Sequence, residues 1–327
     1  MSSRKDTDYL SISARIRVLE TRLLTRERLE RMIDARTDAE ALNVLAECGY
    51  GELSVSDPAE LERALSNARQ ALFGELAAAI PDADMLDIFR AKYDYHNAKV
   101  IIKAEATGQE ARRLLVSGGR YEPEQMLERP QTCGQALCAA MEQARQTLEQ
   151  TEDPQQMDLV LDRAYFAELG HMAGQLGSSY MQGYVRLMVD AANLRSFVRC
   201  MRLEKTPEFV SRVLVEGGSV SVRALAQCRA QDVDGLFPVG PLAEAARLAV
   251  ECAKPGAGVL TELERACDDA LMAYQEKARR TPFGEEVVAG YLFARESELT
   301  AIRTVMAGRM AGLDGDVIRR RLRATYL

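Results

Sequence analysis

"DYHNAKVII" at residues 94–102, "DAANLRSFV" at 190–198 and "ELTAIRTVM" at 298–306 share one grammar: an acid, a cation five residues later, and apolar residues at helical spacing around them. In the second stretch the pattern extends over Tyr180, Tyr184, Leu187, Ala191, Leu194, Val198 and Met201, at steps of four and three that keep one face of a helix apolar. Similar spacing predicts helices over about 12–34, 58–80, 83–106, 155–175, 259–280 and 285–310, and strand-like alternation is nearly absent. Pro58, Pro81, Pro130, Pro154, Pro207, Pro241 and Pro282 interrupt the pattern, as do the pairs Gly118-Gly119 and Gly217-Gly218, read here as helix stops. The expected fold class is all-α.

Sliding the chain on itself tests whether the three stretches are copies. Shifts from 94 to 190 and from 190 to 298 superpose Asp94, Asp190 and Glu298, and with them Lys99, Arg195 and Arg303. The apolar positions follow: Tyr95, Ala191 and Leu299; Ala98, Leu194 and Ile302; Ile102, Val198 and Met306. One position breaks the pattern, where Ala91 and Leu187 fall on Arg295. Two further signatures keep the register. An acid-Arg-Ala triplet recurs at 62–64, 162–164 and 264–266, and "LVSGG" at 115–119 matches "LVEGG" at 214–218, with only a shorter "AGLDG" at 311–315 in the third copy. Three helical repeats are expected, at about 1–110 with extra N-terminal helices, 111–205, and 206–327 with a C-terminal helix.

Five residues along a helix turn the side chain by about 140°, so each acid and its cation cannot form the i,i+4 pair and must find separate partners. Asp94, Lys99, Asp190, Arg195, Glu298 and Arg303 are therefore candidates either for joints between helices or for contacts with a partner molecule, together with Gly118, Gly119, Gly217 and Gly218. Asn97 and Asn193 can add hydrogen bonds to such joints; Ala301 cannot.

Composition narrows the function. The chain has 327 residues, 47% hydrophobic and 28% charged, with a net charge of -7, which argues against a nucleic-acid partner. The basic cluster Arg319, Arg320, Arg321 and Arg323 reads as a solvated helix end or a local binding patch. No run of apolar residues is long enough to span a membrane, the N-terminus lacks a signal-like apolar core, and a cytoplasmic location is expected. Seven scattered cysteines without a CxxC pair, and two distant histidines, give no zinc pattern and are expected to be reduced. There is no GxxxxGK[ST] or GxGxxG loop and no nucleophile with a base nearby; "DADMLD" at 82–87 and "DDALM" at 268–272 are poor magnesium ligands. No catalytic residue, metal, cofactor or small-molecule substrate is expected.

The stretches "DYLSISARIRVLETRLLTRERLERMIDARTDAEALNVLAECGYGEL" (8–53), "FRAKYDYHNAKVIIKAEATG" (89–108), "VDAANLRSFVRC" (189–200) and "LFARESELTAIRTVMAGRM" (292–310) resemble the C subunit of bacterial and archaeal V/A-type ATPases, a relative of the eukaryotic V-ATPase d subunit. The resemblance covers essentially the whole chain. It implies a funnel-shaped, pseudo-threefold assembly of three homologous helical subdomains without a catalytic site. Such a part is a socket of the central stalk, peripheral on the cytoplasmic face, between the proteolipid rotor ring of the membrane and the shaft formed by the D and F subunits. The competing reading is a helical-repeat scaffold or adaptor unrelated to a rotary motor. The repeat of about a hundred residues disfavours it, since common helical solenoids repeat every 30 to 50 or so.

Overall fold

The computed structural model describes residues 5–51, 55, 57–254 and 260–326, and every regular element among them is a helix. In chain order these are α1 (Leu10–Glu20), α2 (Arg26–Asp34), α3 (Asp38–Glu47), α4 (Pro58–Ala77), α5 (Asp84–Thr107), α6 (Pro123–Glu128), α7 (Gln135–Thr151), α8 (Pro154–Leu176), α9 (Ser179–Arg202), α10 (Pro207–Val213), α11 (Val222–Ala226), α12 (Ala243–Cys252), α13 (Thr261–Glu276), α14 (Glu285–Met310) and α15 (Gly315–Arg321), with short 3-10 turns between some of them. The three motif stretches lie on the long helices α5, α9 and α14, of 24, 24 and 26 residues.

Local chemistry explains most boundaries. Pro58, Pro154 and Pro207 do not end helices but begin them, in the first turn where the missing N–H is no loss. Asp57, Asp153 and Thr206 cap those starts by accepting a backbone N–H. Gly108 and Gly177 close α5 and α8 in the left-handed conformation, at φ of 67° and 68°. The expected helix over 12–34 is two helices separated at 21–25, with Thr25 capping α2. The helix expected from 259 begins at Thr261; residue 259 itself lies outside the described residues.

The chain forms two compact units, one from residues 1–81 with 264–327 and the other from 82–263. In the 82–263 unit, α5 packs on α6, α7 and α8, while α9 packs on α8, α10 and α12. Tyr95, Ala98, Ile101 and Ile102 of α5 meet Leu137, Met141 and Leu161 in one buried cluster. In the other unit α14 packs on α1, α2, α3, α4 and α15. There Leu299, Ile302, Val305 and Met306 meet Leu29, Met32, Leu45 and Leu61. The repeated apolar face of the motif helices thus supplies the core in both units, each fully buried leucine contributing roughly 1.5–3 kcal/mol.

Candidate functional site

The repeated acids are buried on their helices and hold loops. Asp94, with none of its surface exposed, accepts hydrogen bonds from the backbone N–H of Arg120 at 3.0 Å and of Tyr121 at 3.4 Å, and from the Arg120 Nε at 2.6 Å. The loop that brings these donors is "LVSGG". A Cβ on Gly119 would stand 2.2 Å from the Asp94 Oδ1, so only glycine lets the backbone come this close. One helical turn along, Asn97 acts on the same loop as a second backbone: its Nδ2 donates to the Val116 carbonyl and its Oδ1 accepts from the Val116 N–H, both at 2.9 Å. Arg120 continues across to α8, where its guanidinium donates to both Glu168 oxygens at 2.7 and 3.1 Å. Burial works against that charge, but hydrogen bonds to Glu168 and Asp94 outweigh it and hold the guanidinium above its ordinary pKa.

The second copy repeats the arrangement. Asp190 accepts from the Ser219 N–H at 2.9 and 3.0 Å, the Ser219 hydroxyl at 2.5 Å and the Val220 N–H at 3.3 Å. Asn193 exchanges both hydrogen bonds with Val215, at 2.8 and 2.9 Å, and a Cβ on Gly218 would again stand 2.2 Å from an acid oxygen. Gly118 and Gly217 adopt φ of 104° and 106°, the left-handed region where glycine alone is unstrained. The glycine pairs are therefore not the helix stops that the sequence suggested; they follow loop residues and seat the acids.

The third copy uses other means. Glu298 accepts a short hydrogen bond from the Leu24 N–H, one from the Tyr50 hydroxyl at 2.9 Å and one from Arg295 at 2.8 Å. Arg295, the residue that broke the repeat pattern, also stacks over the Tyr50 ring, its guanidinium carbon 4.5 Å from the centroid. The "AGLDG" segment does not take part; it closes the end of α14 through the Leu313 N–H to the Gly308 carbonyl.

Lys99 and Arg303 each reach a triplet. Lys99 pairs with Asp162 of the triplet on α8 at 2.6 Å, and Arg303 forks onto Glu62 of the triplet on α4 at 2.5 and 2.7 Å. Arg195 lies half-buried on α9. In the first copy the glycine loop, the acid–cation motif and the triplet of α8, separate signatures in the sequence, all meet on α5. Sequence reasoning missed Arg120, Glu168, Ser219 and Tyr50; only the glycine pairs signalled that a backbone would approach the acids. The C-terminal arginines are largely engaged as well: Arg319 bonds Glu30, Asp34 and Asp316, and Arg323 bonds Asp268, leaving Arg320 and Arg321 exposed.

The chemistry open to this network is structural. The carboxylates of Asp94, Asp190 and Glu298 each accept three or more hydrogen bonds, and among the described residues no group of three His, Cys, Asp or Glu side chains is placed to hold a metal. Burial lifts the Glu298 carboxyl above the usual range, against the pull of Arg295, the Leu24 amide and Tyr50. With its folded pKa raised, the native state holds this proton more tightly than the unfolded chain. The associated stability is present below the ordinary carboxylate pKa and is lost as pH rises through the folded value. Glu298→Gln is therefore expected to lose less stability than the parent chain between about pH 4.5 and pH 7, measured by urea melts across that range; parallel pH profiles would contradict this.

The sequence profile of the ATP synthase (C/AC39) subunit family matches residues 12–321. The chain is 23% identical to the C subunit of the V-type sodium ATPase of Enterococcus hirae over 327 residues, covering 98% of this chain and 99% of that one. It is 24% identical to the C subunit of the V-type ATP synthase of Thermus thermophilus, covering 94% and 95%. It is 22% identical to the C subunit of the A-type ATP synthase of Methanocaldococcus jannaschii, covering 95% and 85%. A match that takes in all three motif helices and both glycine loops defines a component of the V/A-type ATPases. Within that class, the chain belongs to the ATP synthase (C/AC39) subunit family.

Proposed function

We propose that this chain is the central-stalk socket of a rotary V/A-type ATPase, a coupling part without catalysis of its own that joins the proteolipid rotor ring to the shaft formed by the D and F subunits on the cytoplasmic face of the membrane. The observation that carries the reading is the near end-to-end match to relatives named as the C subunit of such machines. The chemistry of the repeats supports it. A part that passes torque by turning as a body needs stiff joints, and buried, fully hydrogen-bonded carboxylates that bind a loop to a long helix are stiff. On this reading Asp94, Asp190 and Glu298, with their loops, are joints inside the protein, as are Lys99 and Arg303, and the three helical copies close around a common axis. Among the described residues no helix is long and apolar enough to cross a membrane, so the ring would be met through its polar loops. The test is co-purification: a tagged chain expressed with its neighbouring ATPase subunits should carry the proteolipid ring and the D and F subunits through size exclusion. Recovery of the chain alone, with an assembled ATPase eluting separately, would count against the socket.

A further inference from the structure

We infer that the repeat in residues 1–81 with 264–327 is a circularly permuted copy of the repeat in residues 84–176, its long helix coming last in the chain instead of first. In the 84–176 copy the order is long helix α5, then the loop that caps Asp94, then the triplet helix α8. The donor to the acid, Arg120, lies 26 residues after Asp94, and the cation's partner Asp162 lies 63 residues after Lys99. In the other copy the same partners come from far upstream. Leu24, which donates to Glu298, precedes it by 274 residues, and Glu62, the partner of Arg303, precedes it by 241.

The cores agree with the wiring. Tyr95, Ala98, Ile101 and Ile102 line one cluster, and Leu299, Ile302, Val305 and Met306, at the same offsets from the acid, line the other. The residue one before each triplet, Leu161 on α8 and Leu61 on α4, is buried in each. The helices after the loop correspond in order: α6, α7 and α8 in one, α2, α3 and α4 in the other.

The permuted copy also explains the exchange of Asp for Glu. Where the acid is Asp, the residue before the donating amide is Gly119 or Gly218, with no room for a Cβ. In the permuted copy that residue is Leu23, 2% exposed. A carboxyl one methylene further from its helix leaves space for the leucine, and Arg295 supplies a local cation for the buried charge. Across this non-covalent joint the arginines of the later segment donate to the earlier one, Arg303 to Glu62, Arg309 to Asp38 and the Ile33 carbonyl, and Arg319 to Glu30 and Asp34, while the Leu24 amide and the Tyr50 hydroxyl donate the other way, to Glu298.

Two nicks in the full chain test the inference. A specific protease site placed between Pro81 and Asp82 cuts one of the permuted copy's two links to the rest and puts α2, α3 and α4 on a separate fragment from α14, and one between Gly108 and Gln109 separates α5 from α6, α7 and α8 in the same way. Both cut proteins are expected to elute as one particle, with thermal midpoints within a few degrees of the uncut chains. Release of the 1–81 fragment, or a thermal midpoint that falls far further with the 108/109 nick than with the 81/82 nick, would overturn the equivalence of the copies. Hydrogen exchange on the unmodified chain gives a second reading that does not depend on the inserts. The Leu24 amide should be protected to within about tenfold of the Arg120 amide, with its protection lost in Glu298→Ala. A freely exchanging Leu24 in the parent chain contradicts the inference.

Discussion

Asp94→Ala is expected to lower the unfolding free energy by about 3 kcal/mol and the thermal midpoint by roughly 6–10 °C, while Lys99→Ala costs under about 1 kcal/mol. The two residues are the acid and cation of one motif, but their surroundings differ. Asp94 is wholly buried, and its removal strands the Arg120 and Tyr121 amides and one edge of a guanidinium that is itself only 10% exposed. Arg120 keeps Glu168, which holds the loss near the lower end of what breaking a buried pair costs. Lys99 and Asp162 are 26% and 44% exposed, so water replaces the pair when it is broken. Thermal and urea melts of the two purified variants decide the ranking. Equal losses would mean that the acid acts chiefly through a cation and not through the loop.

Gly218→Ala should be nearly as damaging as losing the acid it faces, on the order of 2–3 kcal/mol. The added methyl would stand 2.2 Å from the Asp190 Oδ1 and 3.4 Å from the Val189 Cγ1. Asp190 is therefore expelled from its bonds to the Ser219 N–H and hydroxyl. The effect is steric and specific to the pair, so it should shrink to under about 1 kcal/mol when introduced into Asp190→Ala, which makes room for the methyl. A full penalty in both backgrounds would show that the glycine is needed for its backbone and not for the acid.

The helices were legible because their signals are local. Apolar steps of three and four, prolines and capping residues lie within a few residues of what they determine, and the extents of α5, α8, α9 and α14 follow from them. The break at 21–25 was not legible. Leu23 and Leu24 continue the apolar period without a glycine or proline, and the Leu24 N–H is held by Glu298, 274 residues away. The repeated charges were legible as a set, and their partners only in part. Charge suggests a search for opposite charge, which finds Asp162 and Glu62, whereas the acids bind backbone amides that any residue carries. Gly119 and Gly218 were the trace of that approach, and their resemblance to helix stops concealed it. Arg295 looked like a flaw in the repeat because its role depends on Tyr50, far away in sequence, and on the longer reach of Glu298, where the other copies have Asp.

The role as a coupling part is tested most directly by measuring ATP hydrolysis and ATP-driven ion uptake together in membrane vesicles that carry the ATPase with and without this chain. Without it, hydrolysis by the catalytic head should continue while uptake falls to background, and adding the purified chain should restore uptake. Ion uptake that persists without the chain, or hydrolysis of ATP by the chain alone, would contradict the account.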